Sequence, residues 1–318
     1  MPMRVSGSRH LFANRRYLLL VLVLVVALYV LLPQFGDFRA SWHLLRHPVA
    51  HWTAAAIGFT TLTYLAAALT YCWLAFKPLG YGQTVVVQLA AMFVNRLLPA
   101  GLGALGTNYA YLRRKAHTTA QAATVVAINN LLGLTGHLLV VSVALAVTPP
   151  AVHVLPSQSG RLSGHTLDAL VIAVMLVTVL AIFGRQRVRR VVADLAAQVL
   201  SYRSRLGRLA GALLSSMALT LCNVLCLGCC ALALGVHLPF VVILLIFSFG
   251  LGAGTATPTP GGLGGFEAGL TAGFIAYHVA SPTALATALL YRLVSYWLPL
   301  LAGAPSLFVA QKQRLFKA

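Results

Sequence analysis

Nine stretches of this chain stay apolar for 15 to 28 residues without the alternation of a strand, and that continuity constrains the fold most. They cover residues 17–32, 52–76, 84–98, 120–147, 167–183, 209–235, 240–256, 265–280 and 283–310. Runs of this kind form helices in a bilayer, whereas a membrane barrel alternates apolar and polar residues. With 59% hydrophobic and 8% charged residues and a mean hydropathy of +0.87, the chain is neither an ordinary soluble domain nor disordered. It reads as an all-α, polytopic membrane helix bundle, a single transmembrane domain over residues 1–318. The first run follows Arg15 and Arg16, and no small-residue cleavage site follows it, so an uncleaved first helix is expected. Trp52 and Trp73 bracket the second run as interfacial anchors.

The charges set the orientation. There are 23 Lys and Arg against four acids, Asp37, Asp168, Asp194 and Glu267, for a formal charge of +19. Chemistry that needs paired carboxylates has almost nothing to draw on. The positive charge flanks apolar spans, so the partners expected are anionic membrane lipids and not nucleic acid. One alternating set of loops carries 18 Lys and Arg: those before residue 17, Lys77, Arg113 to Lys115, seven Arg within 185–208, and those after 311. The opposite set carries Arg39, Arg46 and Arg161. Both termini are therefore expected in the cytoplasm, with the protein multi-pass in the membrane. Residues 185–208 fit either an interfacial helix, with valines at helical spacing beneath arginines, or a solvated positive loop.

Sliding the chain against itself by 161 residues places Pro99-Ala-Gly101-Leu-Gly103 on Pro260-Gly261-Gly262-Leu-Gly264, four identities in five positions. His117 then meets His278, and Asn129 and Asn130 meet Leu290 and Tyr291. Two repeats follow, about residues 15–147 and 167–310, each with a short segment, a Pro/Gly break, a second short segment and a long helix. The segment 84–98 reaches about 22 Å as a helix, short of the ~30 Å hydrocarbon core. A broken, re-entrant helix pair fits it better than two spans. Counting passes, the two pairs open from opposite sides, so the repeats have inverted topology. Inverted repeats with interrupted helices place a binding site near the midplane. Close packing is the alternative use of these glycines, since Gly261, Gly265, Gly269 and Gly273 recur every four residues.

The ionisable residues inside apolar segments are the remaining site candidates. Glu267, the single glutamate, opens the helix after the second break. Three roles are open to it: receiving a cationic headgroup, carrying a coupling proton, or pairing with Arg292. Arg96 precedes the first break, and with Arg292 it can grip a lipid phosphate; snorkelling to the membrane face is the alternative. Asn129 and Asn130 are expected to hydrogen-bond across helices. Cys222, Cys226 and Cys229 can share one helical face, and His43, His47 and His51 have i, i+4, i+8 spacing. Packing and interfacial polarity explain these better than a metal, with Pro48 disfavouring helix at His47. No metal and no cofactor are expected. The site set is thus Glu267, Arg292, Arg96, Asn130, Pro99, Gly101, Gly103, Pro260, Gly261, Gly262, Gly264 and Gly265.

Residues 257–268, Thr-Pro-Thr-Pro-Gly-Gly-Leu-Gly-Gly-Phe-Glu-Ala, are followed by 288–299, Ala-Leu-Leu-Tyr-Arg-Leu-Val-Ser-Tyr-Trp-Leu-Pro, and by Gly303. Together these resemble the lysylphosphatidylglycerol synthase transmembrane-region family, also called the flippase-like domain family. The resemblance covers about residues 15 to 312, and Asn95-Arg96-Leu97-Leu98-Pro99 matches the family's first block in position. That block usually continues with an acidic residue, where this chain has Ala104-Leu105-Gly106. The family often has Glu-Arg where this chain has Asn129-Asn130. The resemblance implies a bacterial inner-membrane protein of lipid handling. In the best-known members this region moves an aminoacylated phospholipid, and a separate soluble domain makes it. No such domain is expected here, so synthase activity is not implied.

The function expected is a lipid flippase or transporter for a phospholipid or lipid-linked headgroup. One alternative is a non-catalytic scaffold that holds a cytoplasmic lipid synthase or glycosyltransferase through residues 185–208, or a homo-oligomer. Another is a membrane-embedded lipid-modifying enzyme. An enzyme is not expected, because H-E-x-x-H, G-x-S-x-G and acidic metal clusters are all missing from the sequence.

Overall fold

The structure, a computed structural model, describes residues 35–97, 102–148, 205–257, 259–313 and 315–316. Among these there are helices and no strand. In chain order they are α1 (Phe35–Leu45), α2 (Ala50–Leu74), α3 (Tyr81–Leu97), α4 (Leu102–Arg114), α5 (Thr119–Val147), α6 (Leu206–Ala233), α7 (Phe240–Ala256), a 3-10 turn (Pro260–Gly262), α8 (Gly265–Ala276), α9 (Ser281–Arg292), a π turn (Leu293–Trp297) and α10 (Leu298–Lys312). The apolar runs 17–32 and 167–183, and most of 185–208, lie outside the described residues. The rest of the expected pattern is present. Four helices are long and apolar enough to cross a bilayer: α2, α5, α6 and the continuous Ser281–Lys312. The chain is an all-helical, multi-pass membrane protein.

The loops sort to two ends of the bundle. At one end the Lys77 N–H donates to His117 Nε2 at 3.2 Å, and Arg113 donates to the His117 carbonyl at 2.9 Å. Arg205 and Arg208 reach the carbonyls of Phe76 and Ala75, where a helix C-terminus attracts cations. Leu315, just past α10, packs with Val87 and Tyr111. At the other end the Val49 N–H donates to the Ala233 carbonyl at 2.9 Å, and Ser41 to that of Pro282 at 2.8 Å. Lys77, Arg113, Arg114, Lys115, Arg205 and Arg208 thus gather at one end, as the loop charges indicate. Arg205 and Arg208 begin α6 rather than lying free in a loop.

Between the long helices sit two hairpins of short ones. In the first, Thr84 meets Tyr111 (3.0 Å), Gln88 meets Asn108 (2.8 Å) and Asn95 meets the Ala104 N–H (3.2 Å), so α3 and α4 run antiparallel. In the second, a Cβ on Gly269 would fall 2.8 Å from the Ala253 Cβ and 2.9 Å from the Gly250 Cα, and one on Gly273 would fall 3.0 Å from Ile246. Gly250, Gly265, Gly269 and Gly273 therefore serve close packing between α7 and α8. Gly103 does the same in the first hairpin, against the backbone of Asn95 at 2.5 Å. Each of the four helices is 12 to 17 residues long, about 18 to 26 Å, shorter than a hydrocarbon core. The first hairpin begins and ends at the Lys77–His117 end, and the second at the opposite end.

The pairing register repeats at the offset found in the sequence: Gln88 and Asn108 shifted by 161 give Phe249 and Gly269, whose Cβ would lie 3.4 Å from the Phe249 carbonyl. The turn that follows does not keep that offset. Its left-handed residue is Ala116 in one half and His278 in the other (φ 59° and 61°). Its closing bonds run from His117 N–H to Leu112 and from Val279 N–H to Phe274, and the long helices start at Thr119 and Ser281. All of these are 162 apart. One residue has slipped late in the hairpin, so Ala116, not His117, corresponds to His278, and Asn130 falls at the place of Arg292.

Two outcomes follow from this packing. Gly269→Leu is expected to destabilise by about 1 to 3 kcal/mol through overpacking, read as a lowered midpoint in detergent unfolding. Gly58→Ala, at a site with nothing within 4 Å, should not lower it. Burial pushes the His117 imidazole below its usual value of 6.5, so the fold holds it neutral. Its contribution is complete above about pH 6.5 and is lost as pH falls below it, because the unfolded chain takes the proton first. The melting temperature should drop on acidification below that pH, and drop less in His117→Gln.

Candidate functional site

The end of α3 meets the tip of the second hairpin inside the bundle, and the expected charges gather there. The second break is built by residues that only glycine suits: Gly261, Gly262 and Gly264 have φ of 65°, 64° and 87°. Breaking the helix leaves carbonyls without partners, and Arg292 collects them. It donates to the carbonyls of Gly261 (3.0 Å) and Gly262 (3.3 Å), and its Nε donates to Glu267 Oε1 at 2.6 Å. Glu267 Oε2 in turn accepts the Gly264 N–H at 2.8 Å, closing the start of α8. Both carboxylate oxygens are therefore engaged. Of the three roles open to Glu267, the geometry supplies the pairing with Arg292.

Arg96, at the end of α3, does not snorkel outward. It donates to the carbonyls of Ser295 (3.0 Å) and Tyr296. Pro299 has no N–H to offer the Ser295 carbonyl four residues earlier, and the π turn lies on the same stretch. Arg96 meets that need. Its guanidinium also lies 3.7 Å from the Tyr296 ring centroid, with Arg292 at 4.8 Å from the same ring. Tyr296 packs on the turn so closely that a Cβ on Gly261 would lie 2.5 Å from it. Among the described residues the one ion pair is Arg292–Glu267, so Arg96 has no carboxylate partner.

A cavity of about 330 Å³ opens beside these groups, lined by Arg96, Arg292, Tyr64, His137 and Asn223 over an aromatic wall. In that wall Phe266 stacks on Tyr291 at 5.8 Å, and Phe247 meets both edge-on. A second cavity of about 420 Å³ adjoins it and shares Gly133, Leu219 and Thr220. Its lining includes Gln88, Asn95, Asn108, Asn129 and Asn130.

The structure thus brings together Arg96, Arg292, Glu267, Gly261, Gly262 and Gly264. Pro260 begins the same turn, and Gly265 packs on Thr257. Asn130 lies apart, in the second cavity. Pro99 and Gly101 lie outside the described residues. Among the described residues Asn129 and Asn130 do not bond across helices: Asn130 donates to Val126 within α5 (2.9 Å), and the Asn129 side chain makes no hydrogen bond. His43 and His47 have ring centroids 5.9 Å apart while His51 lies against Trp52, and Cys226 meets Thr60 at 3.3 Å. Tyr64, His137, Tyr291 and Tyr296 were not singled out from sequence. Tyr296 was findable, since it sits four residues after Arg292, on one helical face.

The family model of the lysylphosphatidylglycerol synthase TM region matches residues 18–303. The chain belongs to that family. No curated protein matches it. Within this family member the two halves differ at the tips: by the offsets above, Glu267 and Arg292 correspond to Gly106 and Asn130. The charged stitch exists in one half and has a neutral counterpart in the other.

Removing one partner of a nearly buried pair leaves the other uncompensated. Glu267→Ala is expected to cost about 3 to 5 kcal/mol, read as a loss of unfolding midpoint in detergent. Glu267→Gln combined with Arg292→Gln should recover part of that loss, because no lone charge remains.

Proposed function

We propose that this protein carries a phospholipid or lipid-linked headgroup across a bacterial plasma membrane, with Arg96 as the phosphate-binding group. The observation that carries this is a half-buried arginine with no carboxylate partner among the described residues, placed where two opposed hairpins meet and open to a cavity. An arginine has five N–H donors; two of Arg96's go to carbonyls, and a further side-chain hydrogen bond joins it to Tyr64. The remaining donors suit a phosphate. Arg292 adds positive potential from across the Tyr296 ring, although Glu267 balances its charge. The repeated hairpin register supports an inverted pair of repeats with re-entrant segments. The cationic end of the bundle supports placing that end, and both termini, in the cytoplasm. Hydrogen-bonded arginines and an aromatic wall beside a cavity support a carrier.

In proteoliposomes containing a fluorescent anionic phospholipid, the intact chain is expected to speed movement between leaflets. Arg96→Gln should slow it at least ~10-fold, the equivalent of about 1.4 kcal/mol, with the unfolding midpoint measured alongside. Movement at the original rate in that variant, or none in the intact protein, overturns the proposal.

A further inference from the structure

The two cavities differ in chemistry and share a wall. The one beside Arg96 and Arg292 is cationic. Among the described residues, the one beyond Gly133 is lined by no Lys, Arg, Asp or Glu, and by five side-chain amides with Thr70, Ser216 and Thr220. We propose that the ligand's phosphate bears a neutral, hydroxyl-rich group, a polyol or sugar, and that this group occupies the amide-lined cavity while the phosphate sits at Arg96. This rests on the phosphate-binding role of Arg96 given above and names the class of headgroup.

Three observations carry it. First, the amides are half anchored. Asn95 Oδ1 accepts the Ala104 N–H, Gln88 Nε2 donates to Asn108 Oδ1, and Asn130 Nδ2 donates to Val126. Their other ends, Asn95 Nδ2, Gln88 Oε1 and Asn130 Oδ1, and the whole Asn129 amide, make no hydrogen bond among the described residues. Unmet polar groups inside an apolar bundle are costly unless water or a ligand meets them. Second, donors and acceptors are mixed there, which suits hydroxyls, since each hydroxyl both donates and accepts. Third, among the described residues no free carboxylate receives an ammonium: the Glu267 oxygens are held by Arg292 and Gly264, and Glu267 does not line either cavity. An aminoacylated headgroup would bring its positive charge into a space that already holds two arginines.

Gly133 is the doorway. It lines both cavities, and a Cβ there would meet nothing within 4 Å. A large side chain at this position should therefore fill the passage without disturbing α5.

The test is competitive retention of lipids by the purified full chain, read by native mass spectrometry. The probes are phosphatidylinositol, phosphatidic acid and lysylphosphatidylglycerol at equal concentration, with soluble inositol phosphate added in a separate arm. Phosphatidylinositol should be retained at least ~10-fold over the other two. Gly133→Phe and Asn129→Leu should lower it to the phosphatidic acid level and leave phosphatidic acid unchanged. Gly133→Ala and Gly58→Phe should retain the preference. Displacement by inositol phosphate supports the same recognition of a water-soluble ester, and no displacement assigns it to the lipid. Equal retention of phosphatidylinositol and phosphatidic acid, or preference for the lysyl lipid, overturns the polyol assignment alone. Retention of none of the three overturns the role of Arg96 and this assignment with it.

Discussion

Irregular backbone inside an apolar bundle has to find its hydrogen bonds within the protein. Arg292 does this for the second hairpin. One guanidinium takes two carbonyls at the turn and the carboxylate that closes the next helix. Without it the left-handed turn at Gly261 and Gly262 would hold bare carbonyls against low-dielectric surroundings. The tip of the hairpin, the start of α8 and the position of the Tyr296 ring all follow from that one side chain.

Arg96 repeats the logic from the other hairpin, on a different defect. Pro299 and the π turn free backbone carbonyls on the long helix, and the arginine at the end of α3 arrives to meet them. Each hairpin is therefore fastened to the same helix, Ser281–Lys312, by an arginine. Close packing of Gly303 on Phe93 adds a second tie between α3 and that helix. The difference lies in what remains. Arg292 is paired with Glu267, whereas Arg96 meets carbonyls and Tyr64 and no carboxylate among the described residues.

Much of this was legible in the sequence. Continuous apolar runs gave the helices, and the Lys/Arg bias sorted the loops to two ends. The Pro-Gly-Gly-Leu-Gly-Gly block marked the break, and the lone glutamate beside it had three roles open, of which pairing with Arg292 is the one the geometry supplies. What stayed hidden came from three-dimensional causes. A one-residue slip inside a hairpin leaves no trace in a biased composition, so Asn130 was matched to Tyr291 rather than to Arg292. The asparagines looked like cross-helix links because polar side chains in membranes usually find partners, whereas here they face a cavity. Tyr296 acts through its ring, packed on a glycine and between two guanidiniums, and a tyrosine among many apolar neighbours does not advertise that. Gly133 is informative only because of what its missing side chain leaves open.

The replacement of the Glu267–Arg292 pair by Gly106 and Asn130 has a mechanical consequence. The second hairpin is riveted at its tip by a buried ion pair, while the first is joined through neutral amides and a single arginine. Stiffness is therefore unequal between the two hairpins: α7 and α8 are pinned at their tip by the ion pair, and α3 and α4 yield first under strain.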